Sequence, residues 1–106
     1  MGTQTGAIEA NGLYAAGQAD TVLVAAPGVG KQIWVIALTL HTKVTGQIQL
    51  RDATNIVGSH RYDLAANQIE SCDMAALATP WGINKAVTVT SDIAGNHFVR
   101  AYYFIR

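Results

Sequence analysis

The longest continuous run of apolar and β-branched residues lies at 31–41, K-Q-I-W-V-I-A-L-T-L-H. Alternation at a spacing of two puts Trp34, Ile36, Leu38 and Leu40 on one side and Ile33, Val35 and Ala37 on the other, which predicts a strand covered on both faces over its first half. Thr39 and His41 then restore polar alternation, so one face emerges into water. This is the expected central strand of an all-β domain. Residues 47–51 follow, with Ile48 and Leu50 opposed to Gln47, Gln49 and Arg51, a half-buried strand. The short, glycine-ending connection at 42–46 predicts that the two strands form an antiparallel hairpin.

The remaining pattern is of the same kind. Residues 21–26, T-V-L-V-A-A, read as a strand closed by Pro27-Gly28-Val29-Gly30, where proline fixes φ and glycine supplies positive φ. Extended segments are expected at 56–62 and 69–74, separated by a loop or single helical turn at 63–67. Residues 85–91 alternate with Val87 and Val89 inward and Thr88 and Thr90 outward. A hairpin loop at 92–96 leads into the strand 97–105. There Val99, Ala101, Tyr103 and Ile105 share one face and Phe98, Arg100, Tyr102 and Phe104 the other. Both faces are heavy, so this strand is either central in its sheet or packed against another subunit.

Six or seven short strands, turn signals every roughly eight to twelve residues and no helical period predict an antiparallel β-sandwich or jelly roll, with a small closed barrel as the other compatible architecture. The boundary is expected at residue 20, with an extended N-terminal arm at 1–20 and one sandwich domain at 21–106. The arm carries four glycines, and its large apolar side chains are Ile8, Leu13 and Tyr14. It buries too little by itself to offset its ordering entropy. It is either ordered by docking on a neighbour, or it is a frayed tail or short first strand of the same domain.

Composition narrows the classes of function. Of 106 residues only 13% are charged, against roughly 25% in an average soluble domain. Seven basic and seven acidic residues cancel, leaving no long-range field for nucleic acid or an anionic membrane. Low charge favours association with protein, including further copies of the chain. Cys72 is the single cysteine, which excludes an intrachain disulfide or multi-cysteine zinc site. No run approaches the ~18 apolar residues of a membrane span, and the N-terminus lacks the blocks of a secretory signal. A reducing cytoplasm is the expected place of assembly.

No catalytic, cofactor-binding or metal-ligating set emerges. G-V-G-K at 28–31 precedes a β-type run instead of a helix, which removes the context of a phosphate loop. His41, His60 and His97 lack the close spacing of paired ligands. Cys72 with a histidine and an aspartate has no local nucleophile motif. Asp52, Asp63, Asp73 and Asp92 lie near strand ends, where turn hydrogen bonding is their expected work. Trp81, in Thr79-Pro80-Trp81-Gly82, is expected as a lid on the core. The other use of the aromatics is a sugar platform, built on Trp81 or on tyrosines such as Tyr102.

Three stretches recur as a set: A-A-P-G-V-G-K-Q-I-W-V-I-A-L-T-L, then D-L-A-A-N-Q, then T-P-W-G-I-N-K-A-V-T-V-T-S before a final all-β strand. Together they resemble the small all-β structural proteins of tailed bacteriophage virions, over roughly residues 21–106. The resemblance implies a jelly-roll-like, non-enzymatic virion component of the capsid decoration or cement type. Its partners would be itself, as dimer or trimer, and a major capsid protein or other virion protein, with no nucleic acid, membrane or cofactor. Candidate contacts are Ile8, Leu13, Tyr14, Phe98, Arg100, Tyr102 and Phe104. The alternative function is a carbohydrate- or receptor-binding module of a phage tail, with Trp81 and Tyr102 as its ligand platform.

Overall fold

A computed structural model describes residues 7–52, 56–73 and 79–106, and the side chains of all of these except 56–59, 72, 73 and 79. The thiol of Cys72, the carboxylate of Asp73 and the first six residues of the expected arm therefore lie outside the described residues. The described residues form nine strands: β1 (Ile8–Tyr14), β2 (Gln18–Val24), β3 (Ile33–Thr42), β4 (Gly46–Arg51), β5 (Ile56–Leu64), β6 (Ile69–Asp73), the two-residue β7 (Thr79–Pro80), β8 (Val87–Ser91) and β9 (His97–Ile105). No helix occurs among the described residues.

Two antiparallel sheets result. One has the order β1-β9-β3-β6, with β7 also paired to β3, and the other the order β2-β8-β4-β5. This is a jelly roll, two interleaved Greek keys closed into a sandwich. Nearly every connection crosses from one sheet to the other, and among the described strands only β4 and β5 are consecutive and pair. The hairpins expected between residues 31–41 and 47–51, and between 85–91 and 97–105, are thus both absent: β3 and β9 lie in the first sheet, β4 and β8 in the second. Short, glycine-bearing loops serve a crossover at the edge of a thin sandwich as readily as a hairpin, so loop length did not discriminate.

β3 is the inner strand that its apolar run suggests, between β9 and the β6–β7 side. Its face assignment differs from simple alternation. Val35 lies opposite Tyr103 and Ala37 opposite Tyr102, so Ile36 is an extra residue, a β-bulge, at the point where the partner changes from β7 to β6. One inserted residue reverses the phase of everything after it. Ile33, Val35, Leu38, Leu40 and Thr42 consequently face the core, while Trp34, Ala37, Thr39 and His41 face outward.

The core is a layer of aliphatic side chains from both sheets, Ile33, Val35, Leu38, Leu40, Val99 and Ala101 against Ile48, Leu50, Leu64, Val87 and Val89. Trp81 plugs one end, fully buried. Its indole N–H donates to the Arg51 carbonyl at 3.0 Å, its backbone N–H to the Ile33 carbonyl at 2.9 Å, and its own carbonyl accepts from the Gln32 amide at 2.9 Å. Between β2 and β3, Gly28 has φ 114°, open only to glycine without strain, and its carbonyl accepts the Lys31 N–H at 3.1 Å to close the expected turn. Residues 65–68 close a tight turn, Gln68 N–H to Ala65 carbonyl, with Asn67 left-handed at φ 62°.

Residues 7–20 differ from the expected arm. β1 pairs along its full length with β9, from Ile8 opposite Tyr103 to Tyr14 opposite His97, and β2 already begins at Gln18. The boundary placed at residue 20 therefore falls inside a strand. Backbone pairing, more than side-chain burial, holds a segment so poor in large apolar groups. Gly12 has a steric reason as well: a Cβ there would meet the Tyr14 ring, which folds back over it.

The bulge gives a direct test. Deleting Ile36 removes the extra residue and preserves the inward phase on both sides of it, whereas deleting Thr39 turns one half of β3 inside out. Both variants should lose stability, but only the Ile36 deletion should keep a cooperative denaturant transition and native-like near-ultraviolet circular dichroism.

Candidate interaction surfaces

The outer face of the first sheet can be built row by row from the registers. Leu13, Phe98, His41 and Ile69 form one row across β1, β9, β3 and β6; Asn11, Arg100, Thr39 and Ser71 the next; Glu9, Tyr102 and Ala37 a third; Phe104 and Trp34, beside Pro80, the last. Aromatic and aliphatic rows thus bracket a polar centre. Leu13 and Ile69 are 80% and 66% exposed. Arg100 organises the centre: its Nε–H donates to Asn11 Oδ1 at 2.9 Å, lies 3.5 Å from Glu9 Oε2, and its guanidinium stacks 5.2 Å from the Phe98 centroid. The Glu9 carboxyl is held below its ordinary range, first by the hydrogen bond from Asn11 and then, against some desolvation, by Tyr102 and Arg100. At the far end Arg106 lies over Phe104 at 5.4 Å and Trp34 at 6.0 Å.

The outer face of the second sheet is chemically different. The amides and carboxylate of Gln49, Gln47 and Asp63 form a hydrogen-bonded chain, 2.6 and 2.8 Å per link. Asp20, left-handed at φ 48°, places its Oδ1 3.2 Å from the hydroxyls of Thr88 and Thr90 and 3.1 Å from Arg51 Nε. Apart from Val22, which stands 59% exposed opposite Thr88, this side is covered by short polar groups bonded to one another across β2, β8 and β4.

At the loop end of the first sheet a groove of about 390 Å³ opens between the end of β1, the β3–β4 loop and the start of β9. His97 forms its floor, almost fully buried. Its Nδ1 lies 2.8 Å from the Gly95 carbonyl, which can only accept, so that nitrogen carries the proton of the neutral ring. Nε2 then accepts from the Ser91 hydroxyl at 2.8 Å, and the Ser91 oxygen accepts the Gln18 N–H at 3.1 Å. The relay ties β9 of one sheet to β8 and β2 of the other.

These placements sort the candidate residues. Leu13, Phe98, Arg100, Tyr102 and Phe104 share the outer face of the first sheet. Ile8 and Tyr14 do not: their register puts them on the core-facing side of β1, where Tyr14 packs on His97 at 5.4 Å between centroids. The platform of Trp81 and Tyr102 is not assembled, because Trp81 is wholly inside the sandwich and Tyr102 outside it. Trp81 is the expected core lid instead, buried with its N–H on the Arg51 carbonyl. The three histidines do not all converge: His41 and His97 both line the groove, one from the outer face and one from beneath, whereas His60 stacks on Trp81 at 5.4 Å. Among the described residues no three potential metal ligands gather. Asp92 accepts the Gln47 N–H of β4 at 2.7 Å, a bond between elements and not one within its own turn. Sequence reasoning missed the outward turn of Trp34, which depends on the bulge, and the Asp20 cluster, whose members are far apart along the chain.

No family model matches this sequence, and comparison with curated proteins returns no match. Among solved structures, the tobacco streak virus coat protein is similar over 93% of this chain and 87% of that one, at 9% identity and a TM-score of 0.36.

His60 supplies a pH test. Its Nδ1 lies 2.7 Å from the Tyr62 hydroxyl, its Nε2 is buried without a partner among the described residues, and burial lowers its pKa below the ordinary 6.5. The unfolded chain therefore takes up the proton first as pH falls. The stabilisation is complete above the unfolded value and is lost on acidification towards the folded one. Melting temperature should drop more steeply between about pH 7.5 and 5 in the native protein than in His60→Phe, which has no proton to bind. Parallel profiles would contradict this account.

Proposed function

We propose that the protein is a non-enzymatic structural component of a virion, a small jelly roll of the decoration or cement type that associates with its own copies and with a capsid lattice. A fold by itself does not fix a function. Jelly rolls serve in viral capsids, lectins and cupins alike. What carries the reading is the contrast between the two outer faces, one with aromatic and aliphatic rows around an Arg100 centre, the other mostly polar and internally hydrogen-bonded, with Val22 as its exposed aliphatic group. Large exposed apolar patches on one side of a small domain mark contact surfaces.

Area sets the strength of that contact. Four strands about 4.8 Å apart and seven residues long present roughly 450 Å² of flat area. A stable pair usually buries about 800 Å² per partner. One such face therefore supports weak, reversible association, and useful strength comes from many copies engaged at once on a repeated lattice. The low charge content is in keeping with this, since little repulsion opposes close approach of copies. The glycan-binding alternative loses its main support with the burial of Trp81.

Sedimentation equilibrium checks the reading. The weight-average mass of the native protein should rise with concentration towards a dimer or trimer, while Tyr102→Glu and Phe104→Glu should remain monomeric with melting temperatures within a few degrees of the parent. A native protein that stays monomeric at millimolar concentration, or variants that associate unchanged, would remove this surface from the proposal.

A further inference from the structure

We infer that the groove at the loop end of the first sheet is a docking site for an acidic peptide segment carrying an apolar side chain beside its carboxylate. Leu13, Tyr14 and Phe98 supply apolar walls, and Lys43, His41 and the Asn96 amide supply the polar ones. No carboxylate lines the groove, and among the described residues none pairs with Lys43. In a chain of zero formal net charge this is a local basic spot, fitted to a partner within a Debye length of it. A lone lysine beside a histidine is too small a basic set for a nucleic-acid backbone, which calls for a stripe. A wholly apolar ligand would leave the ammonium and amide unused.

The site is also preformed. The Lys43 N–H donates to the Asn96 carbonyl at 3.0 Å, tying the β3–β4 loop to the β8–β9 loop. His97 is fixed by Gly95 and Ser91, and Tyr14 rests on His97. Walls held in place before binding reduce the ordering cost that weakens short peptide contacts. The volume, about 390 Å³, admits one large side chain with its adjoining backbone. The inference rests on the proposed function only for the source of the segment, which would be exposed on a neighbouring virion subunit.

The test is a titration of the ¹⁵N-labelled 106-residue chain with an acetylated, amidated peptide containing Glu-Phe-Asp, and with its Gln-Phe-Asn counterpart. Amide shifts should concentrate at Leu13, His41, Lys43 and Phe98, and the acidic peptide should bind at least about tenfold more tightly, as loss of a charge-assisted hydrogen bond implies. Binding should weaken on raising salt to about 0.3 M. It should be lost in Lys43→Glu and kept in Lys85→Glu, an exposed charge near the opposite end of β8. Equal binding of the two peptides, shifts elsewhere, or no binding to a folded protein would overturn the inference. Tyr102→Glu separates it from the self-association reading, because that variant should become monomeric and still bind the acidic peptide.

Discussion

The pairing of β3 with β9 is the constraint on which the rest depends. It runs from Ile33 opposite Ile105 to Thr42 opposite His97, and it joins segments some sixty residues apart. β1 hangs on the other side of β9, and β6 and β7 on the other side of β3, so the first sheet exists only when that central pair has formed. The second sheet is laid against it by crossovers, not built from local hairpins. Stability thus resides in long-range contacts whose loop-closure entropy must be met before they form, a topology that folds slowly.

Much of the architecture is legible in the sequence and much of the pairing is not. Alternation locates β4 and β8 to within two residues, because each has one clean apolar face, and β9 to the residue, because its apolar run is bounded by the loop at 92–96. It fails at Ile36, because a bulge leaves no mark in a run where every residue is apolar. It fails at β1, whose glycines and small side chains give no burial signal although the backbone is fully paired. Sheet membership is hidden for a different reason: a loop of a few residues crosses a sandwich as easily as it closes a hairpin. Of the surface residues, those on β9 follow directly from period two. Their neighbours Trp34 and His41 join that face only through the register and the bulge.

The bulge therefore links fold to surface. Had β3 run without it, Trp34 would share a side with Leu38 and Leu40, and either the core or the outer face would be wrong. With it, Trp34 stands beside Phe104 under Arg106, while Leu38 and Leu40 remain inside. The His97 relay plays a comparable part at the other end. By engaging both ring nitrogens with fixed partners, it holds the floor of the groove in place beneath Lys43 and His41.

The hydrated face of the second sheet has a consequence for growth. Its glutamine chain and the Asp20 cluster already use one another as partners, so it offers an approaching molecule little that water does not offer more cheaply. Copies meeting through the first sheet, as proposed, would turn this side outward on every exposed flank. On the proposed association, growth would stop at one layer, because a layer one molecule deep would present few groups for a second layer to grip.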